Sequence, residues 1–198
     1  MKQMIFLHTK RTFFPLMLVT FLFSCVLFSC VPMETKRNYN PLNRGKAKRL
    51  INQGTVYLHA NDLDRALASF EVAHDLAGLP EAVDGAGCVA MLRGDHDSAE
   101  ALFRRAYDID NNYYDAIGNL ALLFENQGEL TKAYHTYKMA IDGAPGNFRI
   151  RNNFAAFLAE YNIRGDGDTD AMSELKKAES LGDHKYISNN VELLQRIR

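Results

Sequence analysis

The side chains whose type and spacing come nearest to doing chemistry lie in one short run, Asp166-Gly167-Asp168-Thr169-Asp170, where carboxylates alternate along the chain. Alternating carboxylates supply the first oxygens of a calcium loop, but such a loop also needs a glycine for its sharp turn and a bidentate glutamate at its end. This chain has Ala171 and Lys177 at those two places. The run therefore reads as an acidic turn that satisfies the exposed N–H groups of a following helix and complements its dipole. The six histidines, His8, His59, His74, His96, His135 and His184, show no i, i+4 pairing and no Cys or Glu at a zinc spacing, so surface positions are expected for them. Cys88 has no partner in a catalytic pattern beside it and reads as a small half-buried thiol on a helix. No glycine-rich phosphate loop, Gly-x-Ser-x-Gly elbow or paired-carboxylate motif occurs. No catalytic residue, metal or cofactor is expected, and function falls to a surface that binds.

That surface needs a folded body. Hydrophobic residues make up 47% and charged residues 24% of the 198, a balance that excludes disorder throughout. With 23 Lys and Arg against 24 Asp and Glu the formal charge is −1, so there is no overall basic field to hold a polyphosphate backbone, and nucleic acid is not an expected partner.

The other two cysteines carry a different chemistry. Lys2, Lys10 and Arg11 precede a strongly apolar run over 13–31, the charged and apolar regions of an export signal. The run ends Leu27-Phe28-Ser29-Cys30, with an earlier copy Leu22-Phe23-Ser24-Cys25. Both resemble a bacterial lipobox, which implies that the cysteine thiol takes a diacylglyceryl group before cleavage makes that cysteine the new N-terminus. Cys30 is preferred, because Pro32, Glu34, Lys36, Arg37 and Asn38 follow it as a polar tether should, whereas Cys25 would leave Val26-Leu27-Phe28 behind. The alternative is an uncleaved anchor, since about 20 apolar residues suffice to span a bilayer. The same resemblance, with Val31 rather than Asp after the lipidated cysteine, implies an outer-membrane anchor facing the periplasm. Cleavage would remove three basic residues and take the charge from −1 to −4, leaving Cys88 as the sole unmodified thiol and no internal disulfide.

Beyond the leader the chain repeats itself. Ala66, Ala99 and Ala133 stand 33 and 34 residues apart, each after a turn: Asn61-Asp62-Leu63-Asp64, Gly94-Asp95-His96-Asp97 and Gly128-Glu129-Leu130-Thr131. Four residues on come Phe70, Phe103 and Tyr137, then after three more Ala73, Ala106 and Ala140, which puts small, aromatic and small side chains on one helical face. Small residues let neighbouring helices approach, and the ring fills the space between successive pairs. An upstream helix carries Gly54 and Tyr57, Gly87 and Ala90, or Ala121 and Phe124. These residues resemble the tetratricopeptide repeat, a helix-turn-helix of about 34 residues. Residues 47–80, 80–113 and 114–147 match as units. A fourth starts at Phe148, with Phe154, Ala155 and Leu158, then Ala171, Leu175 and Ala178; its second helix is delayed by four extra residues near Arg164-Gly165-Asp166-Gly167, and Arg151 replaces an apolar residue. Ile187, Val191, Leu194 and Ile197 form the stripe of a capping helix.

The expected architecture is thus all-α: a signal peptide over 1–29, a lipidated tether over 30–46, a solenoid of about four hairpins over 47–183 and a capping helix over 184–198. The resemblance places the binding groove on the first helix of each hairpin. Projected onto this chain, it is lined by Asn52, Thr55 and His59, then Asp84, Cys88 and Met91, then Asn119, Leu122 and Asn126, then Arg149, Asn153 and Ala156. Asparagine amides both donate and accept, so they can pair with the main chain of a bound peptide or helix. The carboxylate clamp of chaperone-binding repeats is not expected, because Asp84 and Cys88 occupy the places that the clamp gives to Lys and Asn. Exported lipoproteins built almost wholly of such repeats resemble the pilotin-like assembly factors of type IV and Tad pili, and also the envelope scaffolds that recruit peptidoglycan hydrolases. Arg151-Asn152-Asn153-Phe154-Ala155-Ala156-Phe157-Leu158 is similar to an Asn-Asn-aromatic-small helix of the pilus group. The resemblance implies an adaptor, not an enzyme, that holds a protein segment of an envelope assembly and meets the membrane through its lipid.

Overall fold

The computed structural model describes residues 41–165, 169–182 and 185–196, all of them helix or connecting turn. After a 3-10 turn at Pro41–Asn43 come α1 (Arg44–His59), α2 (Leu63–Ala77), α3 (Pro80–Leu92), α4 (His96–Ile109), α5 (Tyr114–Asn126), α6 (Leu130–Gly143), α7 (Phe148–Glu160), α8 (Ala171–Ser180) and α9 (Lys185–Arg196). Each odd-numbered helix up to α7 pairs with the even one after it, the pairs stack in chain order, and α9 lies against α8. This is the expected all-α solenoid of four hairpins and a terminal helix. The leader and Cys30 lie outside the described residues. No described helix is long and apolar enough to cross a membrane.

One backbone device recurs at every hairpin. Asn61, Gly94, Gly128 and Asn162 adopt left-handed φ values of 58°, 77°, 74° and 50°, and in each case the next residue's N–H closes back on the helix: Asp62 to Tyr57 O, Asp95 to Ala90 O, Glu129 to Phe124 O and Ile163 to Leu158 O, all at 2.9–3.0 Å. That six-to-one closure satisfies carbonyls which a helix end leaves unpaired. Asp62 and Asp95 then cap the following helix through Arg65 N and Ser98 N. Because Asn162 keeps the 34-residue spacing, the extra residues of the fourth hairpin fall after the closing turn.

Packing explains the small residues. Phe70, Phe103 and Tyr137 are fully buried. A Cβ at Gly54 would lie 2.8 Å from Phe70 Cε1, and one at Gly87 only 2.6 Å from Phe103 Cε1, so the glycines exist to admit the rings. The first helix starts at Arg44, earlier than the expected boundary at 47. Ala47 is fully buried in a cluster with Ala73, Leu79 and Ala82, and the preceding turn contacts both α1 and α2. In the fourth hairpin Arg151 is not a weak match left in apolar surroundings. Its Nη1 meets Glu174 Oε2 at 2.5 Å, with side-chain exposures of 12% and 5%, its Nε donates to Pro145 O at 2.9 Å, and Lys177 takes the other Glu174 oxygen. An internal ion pair thus replaces an apolar contact between α7 and α8. At the end of the array Ile187 and Val191 pack on Ala155, Met172, Leu175 and Ala178, with Leu194 against them. Ile197 is outside the described residues.

Candidate binding groove

Successive first helices touch one another directly, α1 with α3, α3 with α5 and α5 with α7, while no comparable approach between second helices occurs among the described residues. The first helices therefore line the inner side of the array. The repeat spacing puts Lys48, Glu81, Asp115 and Arg149 in one register along it, and Asn52, Gly85, Asn119 and Asn153 in another.

Where α3, α5 and α7 meet there is a cavity of about 240 Å³ lined by Asp84, Tyr113, Asp115, Asn119, Arg149 and Asn153, with Gly118 and Ile150 behind them. Asp84 is only 7% exposed. Its carboxylate accepts from Tyr113 OH at 2.9 Å and from Asn119 Nδ2 at 2.9 Å. Burial pushes its pKa up to about 6; the two donors pull it down, and the charges of Asp115 and Glu81 push it up again. The same burial, with the Asp84 charge beside it, raises the Tyr113 phenol far above its usual range, so that it stays a donor. Burial, then Asp84, likewise raise the Cys88 thiol, which makes it a poor nucleophile. Asp115 accepts from Asn147 Nδ2 at 3.1 Å and from the exposed Arg149 guanidinium at 3.3 Å.

A second cavity, about 160 Å³, opens between α7, α8 and α9. It is lined by Ala155, Ala156, Ala159, Leu175 and Leu194 together with Asn152 and Asn190, whose amides pair at 2.9 Å. Among the described residues no group of three or more His, Cys, Asp or Glu side chains is placed to hold a metal ion. The last carboxylate of the alternating run, Asp170, caps α8 by accepting from Ser173 N at 2.8 Å, while Asp166 and Asp168 lie outside the described residues.

Residues 90–152 match the family model of the tetratricopeptide repeat. Over that stretch the chain carries the tetratricopeptide repeat. It is similar to the type IV pilus assembly protein PilF of Pseudomonas aeruginosa, 33% identical over 70 residues that make up 35% of this chain and 28% of the relative. The matched stretch thus spans little more than a quarter of the relative's length. Among solved structures the repeats superpose on Pseudomonas aeruginosa pilF with a TM-score of 0.59, 17% identity and coverage of 78% of this chain and 71% of the other. A thermophilic TPR protein of Thermus thermophilus gives a TM-score of 0.62 at 19% identity, covering 76% and 82%. The first TPR of Spaghetti bound to the HSP90 peptide SRMEEVD gives 0.50 at 17%, covering 61% and 96%. At these identities the structural likeness is one of fold.

Within the repeats, the residues expected in the groove are not equivalent. Asp84, Asn119, Arg149 and Asn153 come together around the first cavity, and Ala156 lines the second. Asp84 departs from its expected role as an open groove charge, because it is buried beneath two donors. Cys88 and Met91 are half-buried against the core, and Leu122 is half-buried on α5. Asn52, Thr55, His59 and Asn126 are exposed and line neither cavity, and the Thr55 hydroxyl donates to Ile51 O within its own helix. His59 and His135 are exposed as expected, but His74 and His96 are half-buried, with His74 Nε2 3.1 Å from Arg105 Nη2. The expected list lacks Tyr113, Asp115, Asn152, Asn190 and Leu194. Asp115 was available from the register it shares with Arg149. Tyr113 precedes its helix, and Asn190 belongs to the cap, so no repeat position announces either.

Proposed function

We propose that this protein is a lipid-anchored adaptor that grips a segment of an envelope assembly component on the inner face of its repeats and thereby helps to build a pilus or secretion apparatus. The observation that carries the reading is the cavity where three consecutive first helices converge, which gathers Asn119, Asn153, Arg149 and Tyr113 around a buried carboxylate. Convergent polar groups in a concavity are the usual mark of a binding site. Donors and acceptors on neighbouring amides suit the main chain of an extended or helical segment. The likeness to a type IV pilus assembly protein supports the pilus part of the proposal, and the export-signal pattern ending at Cys30 supports the anchor.

Photo-crosslinkers placed at Asn119 and Asn153 in cells should capture one envelope protein. Failure of both to capture any protein, with the chain present at normal level, would refute a groove partner. A captured cell-wall hydrolase would instead favour a scaffold of peptidoglycan enzymes. Radiolabelled palmitate should enter the chain and be lost in Cys30→Ser; retention of label there would move the lipid to Cys25.

A further inference from the structure

The two cavities are chemically unlike, and together they specify more than a generic peptide. The α7–α9 cavity presents alanine methyls and the Leu175 and Leu194 side chains, with polar groups confined to the Asn152–Asn190 pair. Its volume of about 160 Å³ is comparable with an apolar cavity of roughly 150 Å³ that accepts a benzene ring. A single branched aliphatic side chain fits it. The neighbouring cavity is anionic: Asp84 and Asp115 line it, Glu81 adds its field to that of Asp115 at Asp84, and the lining cation, Arg149, is already paired with Asp115. Asn152 and Asn153, adjacent residues of α7, belong to one cavity each. Asn153 of the anionic cavity and Ala156 of the α7–α9 cavity stand three residues apart on one face of α7, so a strand-like segment advancing about 3.3 Å per residue can serve both cavities within a few positions.

Building on the groove reading above, we infer that the occupant is a protein segment carrying an aliphatic side chain a few residues from a lysine or arginine, the first entering the α7–α9 cavity and the second meeting the partly exposed Asp115 carboxylate, with Asp84 adding its field from beneath Tyr113 and Asn119. Charge complementarity selects the basic residue, and desolvated like charges reject an acidic tail such as the SRMEEVD peptide held by the Spaghetti repeat.

The test is selection of a displayed library of random 12-residue peptides on the full chain in detergent, followed by anisotropy titration of the most enriched synthetic peptide. Enriched sequences should pair Leu, Ile, Val or Met with Lys or Arg. Affinity should fall about tenfold or more in Ala156→Leu, which fills the aliphatic cavity from an exposed helical position, and by a similar factor in Asp115→Lys, as for central interface residues. Enrichment of acidic or wholly neutral peptides, indifference of the enriched peptide to both substitutions, no enrichment at all, or crosslinking of Asn153 to a second copy of this chain would each overturn the inference. If one of these occurs while Asn119 and Asn153 still capture an envelope protein, the groove stands and only its chemistry is wrong. If capture fails as well, the groove itself falls.

Discussion

Asp84 shows what a single residue contributes beyond its place in a pattern. The repeat spacing puts it on the inner face, but its carboxylate is held by Tyr113, and Leu79 and Asn147 stand at the corresponding positions of the neighbouring units. Its pKa of about 6 against an ordinary 3.8 means that the folded chain holds a proton which the unfolded chain has released. Stability attributable to this group is therefore complete below pH 4 and declines as pH rises to about 6. By linkage the loss amounts to about 3 kcal/mol. Asp84→Asn, neutral throughout, should be more stable than the parent at pH 7 by up to that amount. Near pH 4 it should lose the advantage, and one hydrogen bond worth about 1 kcal/mol with it. Urea midpoints of the two chains compared between pH 4 and 7 measure this difference directly, and a difference independent of pH would contradict the buried-carboxylate account.

Elements were the most legible level, for a physical reason. A hairpin that must admit an aromatic ring between two helices needs a small residue at a fixed distance from that ring, so geometry writes itself into spacing. Gly87→Ala should therefore destabilise by about 1–3 kcal/mol through overpacking on Phe103, although alanine is the better helix former by nearly 1 kcal/mol. Gly45→Ala, whose added methyl meets nothing within 4 Å, should be neutral or stabilising by up to about 1 kcal/mol. Thermal melts of the pair separate ring fit from propensity. Arg151 was illegible, since an ion pair across α7 and α8 depends on Glu174, 23 residues away, and leaves no periodic trace. Arg151→Leu alone should cost about 3 kcal/mol by stranding Glu174 with only the half-exposed Lys177, and the double change with Glu174→Leu should recover most of it.

In the whole molecule each hairpin contacts chiefly its neighbours, so stability should be distributed along the array rather than concentrated in one core. The terminal helix was visible as an apolar stripe, but its part in the α7–α9 cavity was not, because Asn190 and Leu194 meet the α7 side chains only once α9 has docked. Removing 183–198 exposes Ala155, Leu175 and Ala178, which Ile187 and Val191 now cover. The fourth hairpin should then open first. Amide exchange should accelerate by orders of magnitude in α7 and α8, while α3 to α6 keep most of their protection. The same deletion takes away one wall of the aliphatic cavity and leaves Asp84, Tyr113 and Asn119 in place, so the truncated chain should lose the aliphatic anchor while its anionic cavity persists. Uniform acceleration across all helices would instead mean that the array unfolds as one unit, and the nearest-neighbour picture of its stability would have to be abandoned.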